Sequence, residues 1–199
     1  MSIVAVILFV GANTALTVTT LGLVRRFGVG TGPGALLAGG VLYASLAITL
    51  MLGLGSVGLL APWPVTLAAV ALFLAERFAP GRPASAASPS PASPSHVTTL
   101  AVGLALGVVA WWFFAANRTG LVLSWDDLGY HATVIGWWLR EGSIGYAPFT
   151  YQVYYPLNAE LFAAWFAAPL GVLAQSNLSH VFWVGLLAAS VFQFDRRLG

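Results

Sequence analysis

The residues best suited to chemistry in this chain lie in one short stretch, from Ser124 to His131. It contains two adjacent aspartates, Asp126 and Asp127, and the histidine follows them by about one helical turn. A carboxylate held beside a hydroxyl can accept its proton, which is the task of a general base. The spacing of Ser124 and Asp127 also fits a capping box, in which polar side chains satisfy free N–H groups at the start of a helix. Both interpretations stay open, although one aspartate is enough for a cap and the chain has only six carboxylates.

Tyr130 and His131, at the end of this stretch, and Glu160, beyond it, are the other residues considered for a functional role. A histidine that stands alone is most often a packing residue. A carboxylate inside an apolar run is costly unless it faces water, a partner or a cavity. Glu160 lies in such a run, so a functional and an interfacial role both remain open for it. The chain has no cysteine, which excludes a thiolate metal site, and no metal ligands are assigned.

The composition places these residues in a membrane protein. Hydrophobic residues make up 59% of the chain and charged residues only 7%, whereas soluble domains carry roughly 25% charged residues. The net charge of +2 provides no broad basic surface, so nucleic acid is not expected as a partner. We therefore predict an all-α integral membrane protein, with membrane lipids as its surroundings.

Five apolar stretches are predicted to cross the membrane as helices. A crossing needs about 20 apolar residues, and the candidates, the third of them short, are residues 3–24, 34–60, 65–79, 98–116 and 178–194. Residues 61–64 read Ala-Pro-Trp-Pro and predict a turn, since proline disfavours helix in the residue before it. Residues 80–97 are rich in Pro, Ser and Ala, which predicts a flexible linker. The chain thus divides into a three-helix membrane unit at 1–79, the linker at 80–97 and a second unit at 98–199.

The arginines predict how the chain is oriented. Cytoplasmic segments are enriched in Lys and Arg, so the pairs Arg25-Arg26 and Arg196-Arg197 are placed inside together with the linker. Residues 117–157, which hold the acidic stretch, then lie on the periplasmic or extracellular side. We expect a multi-pass protein of the cell inner or plasma membrane.

Two amphipathic surface helices are predicted in or beside this outer loop. The first begins at the Asp126-Asp127 pair, runs to about Arg140 and ends at Gly142, with an apolar face formed by Leu128, Ala132, Ile135 and Leu139. The second covers 157–173, because only one of the last two apolar stretches can cross if Arg196-Arg197 are inside.

Three stretches of the second unit resemble the first outer loop of the GT-C glycosyltransferases. They are Trp-Asp-Asp-Leu-Gly-Tyr-His at 125–131, Trp-Leu-Arg-Glu-Gly-Ser-Ile at 138–144 and Tyr-Tyr-Pro-Leu-Asn-Ala-Glu-Leu at 154–161. The likeness is greatest to the bacterial branch related to protein O-mannosyltransferases and the lipid A aminoarabinose transferase. It covers about half of the chain, and a terminal Arg-Arg-Leu-Gly fits the basic turn that closes this part of the family's pattern.

The resemblance implies a transferase that uses a polyprenyl-phosphate-linked sugar as donor. Asp126 matches the family's leading acidic residue, which acts as general base on the acceptor hydroxyl. The supporting and substrate-binding residues are then Asp127, Tyr130, His131, Tyr155 and Glu160. No cofactor is required by the pattern, and a divalent metal is left open.

Two departures from the family matter. Val153 and Tyr154 stand where the aminoarabinose branch has an acidic-basic pair. Family members also have more spans, so we expect the N-terminal part of such an enzyme, completed by further C-terminal helices or a partner subunit.

Two other functions remain as alternatives. The first is a non-catalytic membrane protein that binds a lipid-linked sugar or scaffolds a partner. The second is a small transporter subunit, which the scarcity of ionisable residues in the clear spans disfavours.

Overall fold

A computed structural model describes residues 2–29, 32–80, 96–119, 130–146 and 157–198. These parts of the chain are helical, with no strand among them. The helices are α1 (Ile3–Arg26), α2 (Pro33–Ser56), α3 (Pro62–Phe78), α4 (His96–Thr119), α5 (Ala132–Glu141), α6 (Asn158–Ala167) and α7 (Leu178–Leu198), with a short 3₁₀ helix at Leu173–Asn177. The all-α prediction is confirmed for them.

Three helical segments are long and apolar enough to cross a membrane: Ile3–Arg26, Pro33–Ser56 and Leu173–Asp195. They support a membrane protein and include the predicted first, second and last spans. The other two predicted crossings are weaker. Helix α3 has 17 residues, and the apolar part of α4 covers Thr99–Trp111, so a count of five crossings stays a prediction.

The predicted turn at 61–64 is wrong, because α3 already begins at Pro62. Ala61 is extended, with φ −134° and ψ 160°, as expected for a residue before proline. Proline is tolerated in the first turn of a helix, where its missing N–H would have no partner in any case. The two prolines of this segment therefore start a helix, and the preceding chain makes the turn.

The first three helices alternate in direction. Thr66 Oγ1 of α3 donates a hydrogen bond to Leu8 O of α1 at 3.2 Å, and near the other end Arg26 Nε lies 2.9 Å from Glu76 Oε1. These contacts make α1 and α3 parallel to each other. Helix α2, which connects them in sequence, runs antiparallel to both. One end of this group therefore carries Arg25, Arg26 and Arg77, and we call it the arginine end.

Helix α7 runs antiparallel to α2 and also finishes at the arginine end. Gly34 of α2 lies beside Gln193, Gly40 lies beside Leu186, and the rings of Tyr43 and Phe182 are 5.3 Å apart. A side chain at Gly40 would collide with Leu186, so glycine permits this close approach. Since α2 also packs against α1 and α6, the regions before and after the predicted linker share one core. Residues 81–95 of that predicted linker lie outside the described residues.

Helix α6 lies inside this core. Every residue from Glu160 to Pro169 is buried against other parts of the protein, and the predicted position of the 157–173 segment, at the outer surface or dipping partly into the membrane, stays a prediction. Its sequence, Asn-Ala-Glu-Leu-Phe-Ala-Ala-Trp-Phe-Ala, is apolar on all sides, and such a helix is stabilised by complete burial. Trp165 Nε1 donates hydrogen bonds to Asn13 Oδ1 at 3.1 Å and to Tyr43 Oη at 2.9 Å, which ties α6 to α1 and α2.

Helix α5 is attached to the end opposite the arginines. It ends at Gly142, as predicted, where φ is +69° and the N–H bonds to Trp138 O. Leu60 N donates to Gly142 O at 2.7 Å, and Ile144 N donates to Gly55 O at 3.0 Å. These bonds hold the end of α5 against the α2–α3 turn.

The predicted apolar face of α5 is only partly described. Ala132 and Ile135 are buried, while Thr133 is exposed. Leu128 and the predicted start of the helix at Asp126 lie outside the described residues.

Candidate functional site

Three of the predicted site residues lie in the described parts of the chain, and the structure brings them together. Tyr130 and His131 form a widened, π-helical turn that leads into α5, and Glu160 lies in the first turn of α6. Asp126, Asp127 and Tyr155 lie outside the described residues. Turns of this widened kind are frequent at functional sites.

The centre of the site is a contact between His131 and Glu160. Imidazole Nδ1 is hydrogen-bonded to carboxylate Oε1, and the two residues are 29 positions apart in sequence. The Glu160 side chain is only 5% exposed, against 33% for His131. The Tyr130 ring stacks on the imidazole, with ring centroids 3.8 Å apart and planes inclined by 37°. The histidine is thus held from two sides.

Burial makes this contact necessary for Glu160. A carboxylate removed from water is strongly destabilising unless it is paired or hydrogen-bonded. An imidazole provides such a partner, and it can carry a proton on either or both of its nitrogens. With Nδ1 directed at Glu160, Nε2 is the nitrogen left to exchange a proton with another group.

His131 and Glu160 line a cavity of about 130 Å³. Its wall is formed by α5, α6, the 3₁₀ helix and the start of α7, and its polar members besides the pair are Ser176, Ser179 and His180. Trp183 and several small apolar residues complete it. The arrangement can bind water or a small polar group and move a proton.

Three residues of this cavity were missed by sequence reasoning: Ser176, Ser179 and His180. They precede or begin the last apolar stretch, which was interpreted only as a span. Their spacing of three and four residues places them on one face of a helix, and that regularity is the signal that could have identified them.

A second buried carboxylate lies at the arginine end of the fold. Glu76 has a side-chain exposure of 6% and is paired with Arg26 Nε. The guanidinium of Arg26 also donates to Glu76 O and, at 3.1 Å, to Pro80 O. A Cβ at Gly22 would lie 2.5 Å from Glu76 Oε1, so the carboxylate packs directly against the α1 backbone. This cluster joins the ends of α1 and α3.

No protein-family model, curated protein or solved structure matches this chain. Within the described residues, no group of three His, Asp or Glu side chains is arranged to hold a metal ion. The assignment of a function therefore depends on the contact between His131 and Glu160 and on the sequence motifs around it.

Proposed function

We propose that this chain is part of a membrane glycosyltransferase that takes its sugar from a polyprenyl phosphate at the outer face of the cell inner or plasma membrane. The motif resemblance supplies the reaction class. The observation that best supports a reactive site is the meeting of His131, from the segment after the acidic pair, with Glu160, from the segment after the Tyr-Pro element, at one cavity.

Asp126 is the proton acceptor in this proposal. The acceptor hydroxyl transfers its proton to the carboxylate as its oxygen forms a bond to the anomeric carbon. The bond from that carbon to the phosphate oxygen breaks, the electron pair leaves with the lipid phosphate, and the sugar configuration inverts. Asp127, Tyr130, His131, Tyr155 and Glu160 position the reacting groups.

The experiment compares Asp126→Asn with the wild type in native membranes that contain the complete assembly. Transfer of radiolabelled sugar from synthetic polyprenyl-phosphate donors carrying a hexose or a pentose is measured. We expect the asparagine variant to be expressed normally and to lose at least about 100-fold in rate, as expected on removal of a general base.

The matched control is Glu141→Gln, which removes an exposed carboxylate paired with Arg140. It should keep the wild-type rate. Wild-type turnover by the Asp126 variant would reject its role as base, and absence of transfer from every donor by the wild-type assembly would reject the transferase proposal.

A non-catalytic protein that binds a lipid-linked sugar is the second candidate. It is favoured by an apolar groove of about 670 Å³ between α1 and α3, whose lining includes Val10, Gly11, Val18 and Phe73. A prenyl chain fits the chemistry of this groove. Saturable binding of the donor without transfer to any acceptor would support this candidate.

A further inference from the structure

The contacts between α2 and α7 define the depth of the cavity. Tyr43 is the eleventh of the 24 residues of α2, a helix long enough to cross the membrane. Phe182 of α7 packs against Tyr43, and the next residue, Trp183, lines the cavity. One wall of the cavity therefore lies close to the level of the α2 midpoint.

Ser179, a polar residue of the cavity wall, lies slightly farther from the arginine end. Ser179 precedes Phe182 by three residues of helix, or about 4.5 Å at the α-helical rise. The hydrocarbon core extends about 15 Å on each side of its centre. If the midpoint of α2 lies at the bilayer centre, the level of Ser179, and with it the cavity that it lines beside His131 and Glu160, falls within the hydrocarbon region. The sequence predicts His131 on a helix at the membrane surface and Glu160 on a helix at that surface or dipping partly into the membrane, and both positions stay predictions.

We infer that this cavity is a water-filled pocket inside the membrane, through which the His131–Glu160 pair exchanges protons with the aqueous phase at the end opposite the arginines. Ionisable residues at such depth are rare and usually mark proton or substrate pathways. A volume of about 130 Å³ accommodates roughly four waters at their share of liquid volume, and the hydroxyl, imidazole and carboxylate groups of the wall can bond them. The inference is independent of glycosyl transfer.

Other titratable groups near the pair belong to three elements. Tyr130 stacks on His131, His180 lines the same cavity from α7, and Tyr43 of α2 lies beyond Phe162 and Trp165. Because His180 lines the same cavity, a pH effect that arises from His180 could be mistaken for one that arises from the His131–Glu160 pair. The proton experiment is therefore carried out with His180→Gln present throughout.

Access to water is tested with single cysteines, because the chain has none of its own. Ser179→Cys introduces a thiol at a buried position of the cavity, and Ser45→Cys introduces one at an exposed position of α2 two residues from Tyr43. Both lie near the same depth. The protein is reconstituted in vesicles, a membrane-impermeant cationic thiosulfonate is added outside, and unreacted thiols of the outward-oriented molecules are counted with a maleimide dye after denaturation.

We expect the buried Ser179→Cys to react at least about tenfold faster than the exposed Ser45→Cys, since a thiol ionises and reacts in water and not in lipid. Ser176→Cys, at the same cavity, should react at a rate similar to that of Ser179→Cys. It replaces Ser179→Cys in the experiment if that variant folds poorly. Equal rates, or reaction of Ser45→Cys alone, would overturn the inference. So would unreactive thiols at both cavity positions.

Proton exchange is tested by comparing cationic and anionic thiosulfonates at Ser179→Cys as the pH is lowered. If the pair takes up a proton, the cavity becomes more positive, and the ratio of the cationic to the anionic rate should fall by about tenfold. The ratio should stay constant in His131→Gln/Glu160→Gln. A wild-type ratio that does not change with pH, or an equal change in the double variant, would overturn the proton assignment.

Discussion

Two glutamates of this protein are almost equally buried and have very different partners. Glu76 and Glu160 have side-chain exposures of 6% and 5%. Glu76 faces the guanidinium of Arg26, which stays charged at every physiological pH. Glu160 faces the imidazole of His131, a ring with two nitrogens that can each donate or accept a hydrogen bond.

The difference separates a structural clamp from the proposed reactive site. Arg26 also binds backbone carbonyls at the end of α3, so its geometry is fixed by several bonds at once. His131 makes its bond to Glu160 with one nitrogen and lines a cavity. Burial of a carboxylate alone therefore does not distinguish the two glutamates, whereas the chemistry of the partner does.

The largest effect is expected for Arg26→Met. The substitution leaves the buried carboxylate of Glu76 without its closest cation, and breaking such a pair destabilises proteins by about 3 kcal/mol or more. Denaturant unfolding in detergent micelles measures the loss. Arg25→Met, at an exposed neighbouring position, is the control and should have little effect. Adding Glu76→Gln to Arg26→Met should recover much of the stability, and failure to do so would argue against a charge-based clamp.

A smaller effect is expected for Gly22→Ala. The new methyl group would lie 2.5 to 2.9 Å from the carboxylate atoms of Glu76, whose position is held by Arg26. The resulting shift should cost about 1–2 kcal/mol, measured by the same unfolding experiment. Gly103→Ala on α4, where the methyl would meet no atom within 4 Å, should be neutral or slightly stabilising. Equal effects at the two glycines would contradict the close packing of Glu76.

The smallest effect on stability is expected for Glu160→Gln. The amide keeps a hydrogen-bonding group beside His131 and removes a buried charge, so we expect a change below about 1 kcal/mol. If the transferase proposal holds, the same variant should lower the rate of sugar transfer. Glu76→Gln should show the reverse pattern, with a clear loss of stability and normal transfer. A large unfolding effect for Glu160→Gln would make both glutamates structural.

Much of the helical fold could be predicted from hydropathy and from the residues that commonly begin or end helices. The apolar runs that form α1, α2 and α7 are long and end near arginines or glycine, and Gly142 ends α5 as its position indicated. The error at Pro62 has a simple cause, since proline both breaks a preceding helix and starts a new one. Local pattern does not distinguish these cases without knowing which helix follows.

The burial of α6 could not be predicted, because its sequence has no polar face that would reveal its surroundings. The position of α6 depends on Trp165, which donates hydrogen bonds to Asn13 and Tyr43, residues that are 152 and 122 positions away in sequence. The site shows the same limit. His131 and Glu160 were each selected for their chemistry, but their contact exists only because α5 and α6 pack together. Ser179 and His180 could be grouped with Ser176 by their helical spacing, but their position at the same cavity as the pair depends on how α7 packs.

The shared core around α2 has a consequence for the integrity of the polypeptide. Helix α2 packs against α1 on the amino-terminal side of residues 81–95 and against α6 and α7 on the carboxyl-terminal side. The backbone bonds from Leu60 to Gly142 and from Ile144 to Gly55 join the same two portions at the opposite end. A protease cut between them should therefore leave a non-covalent pair that migrates as one particle, and two separately expressed genes for these portions should complement each other.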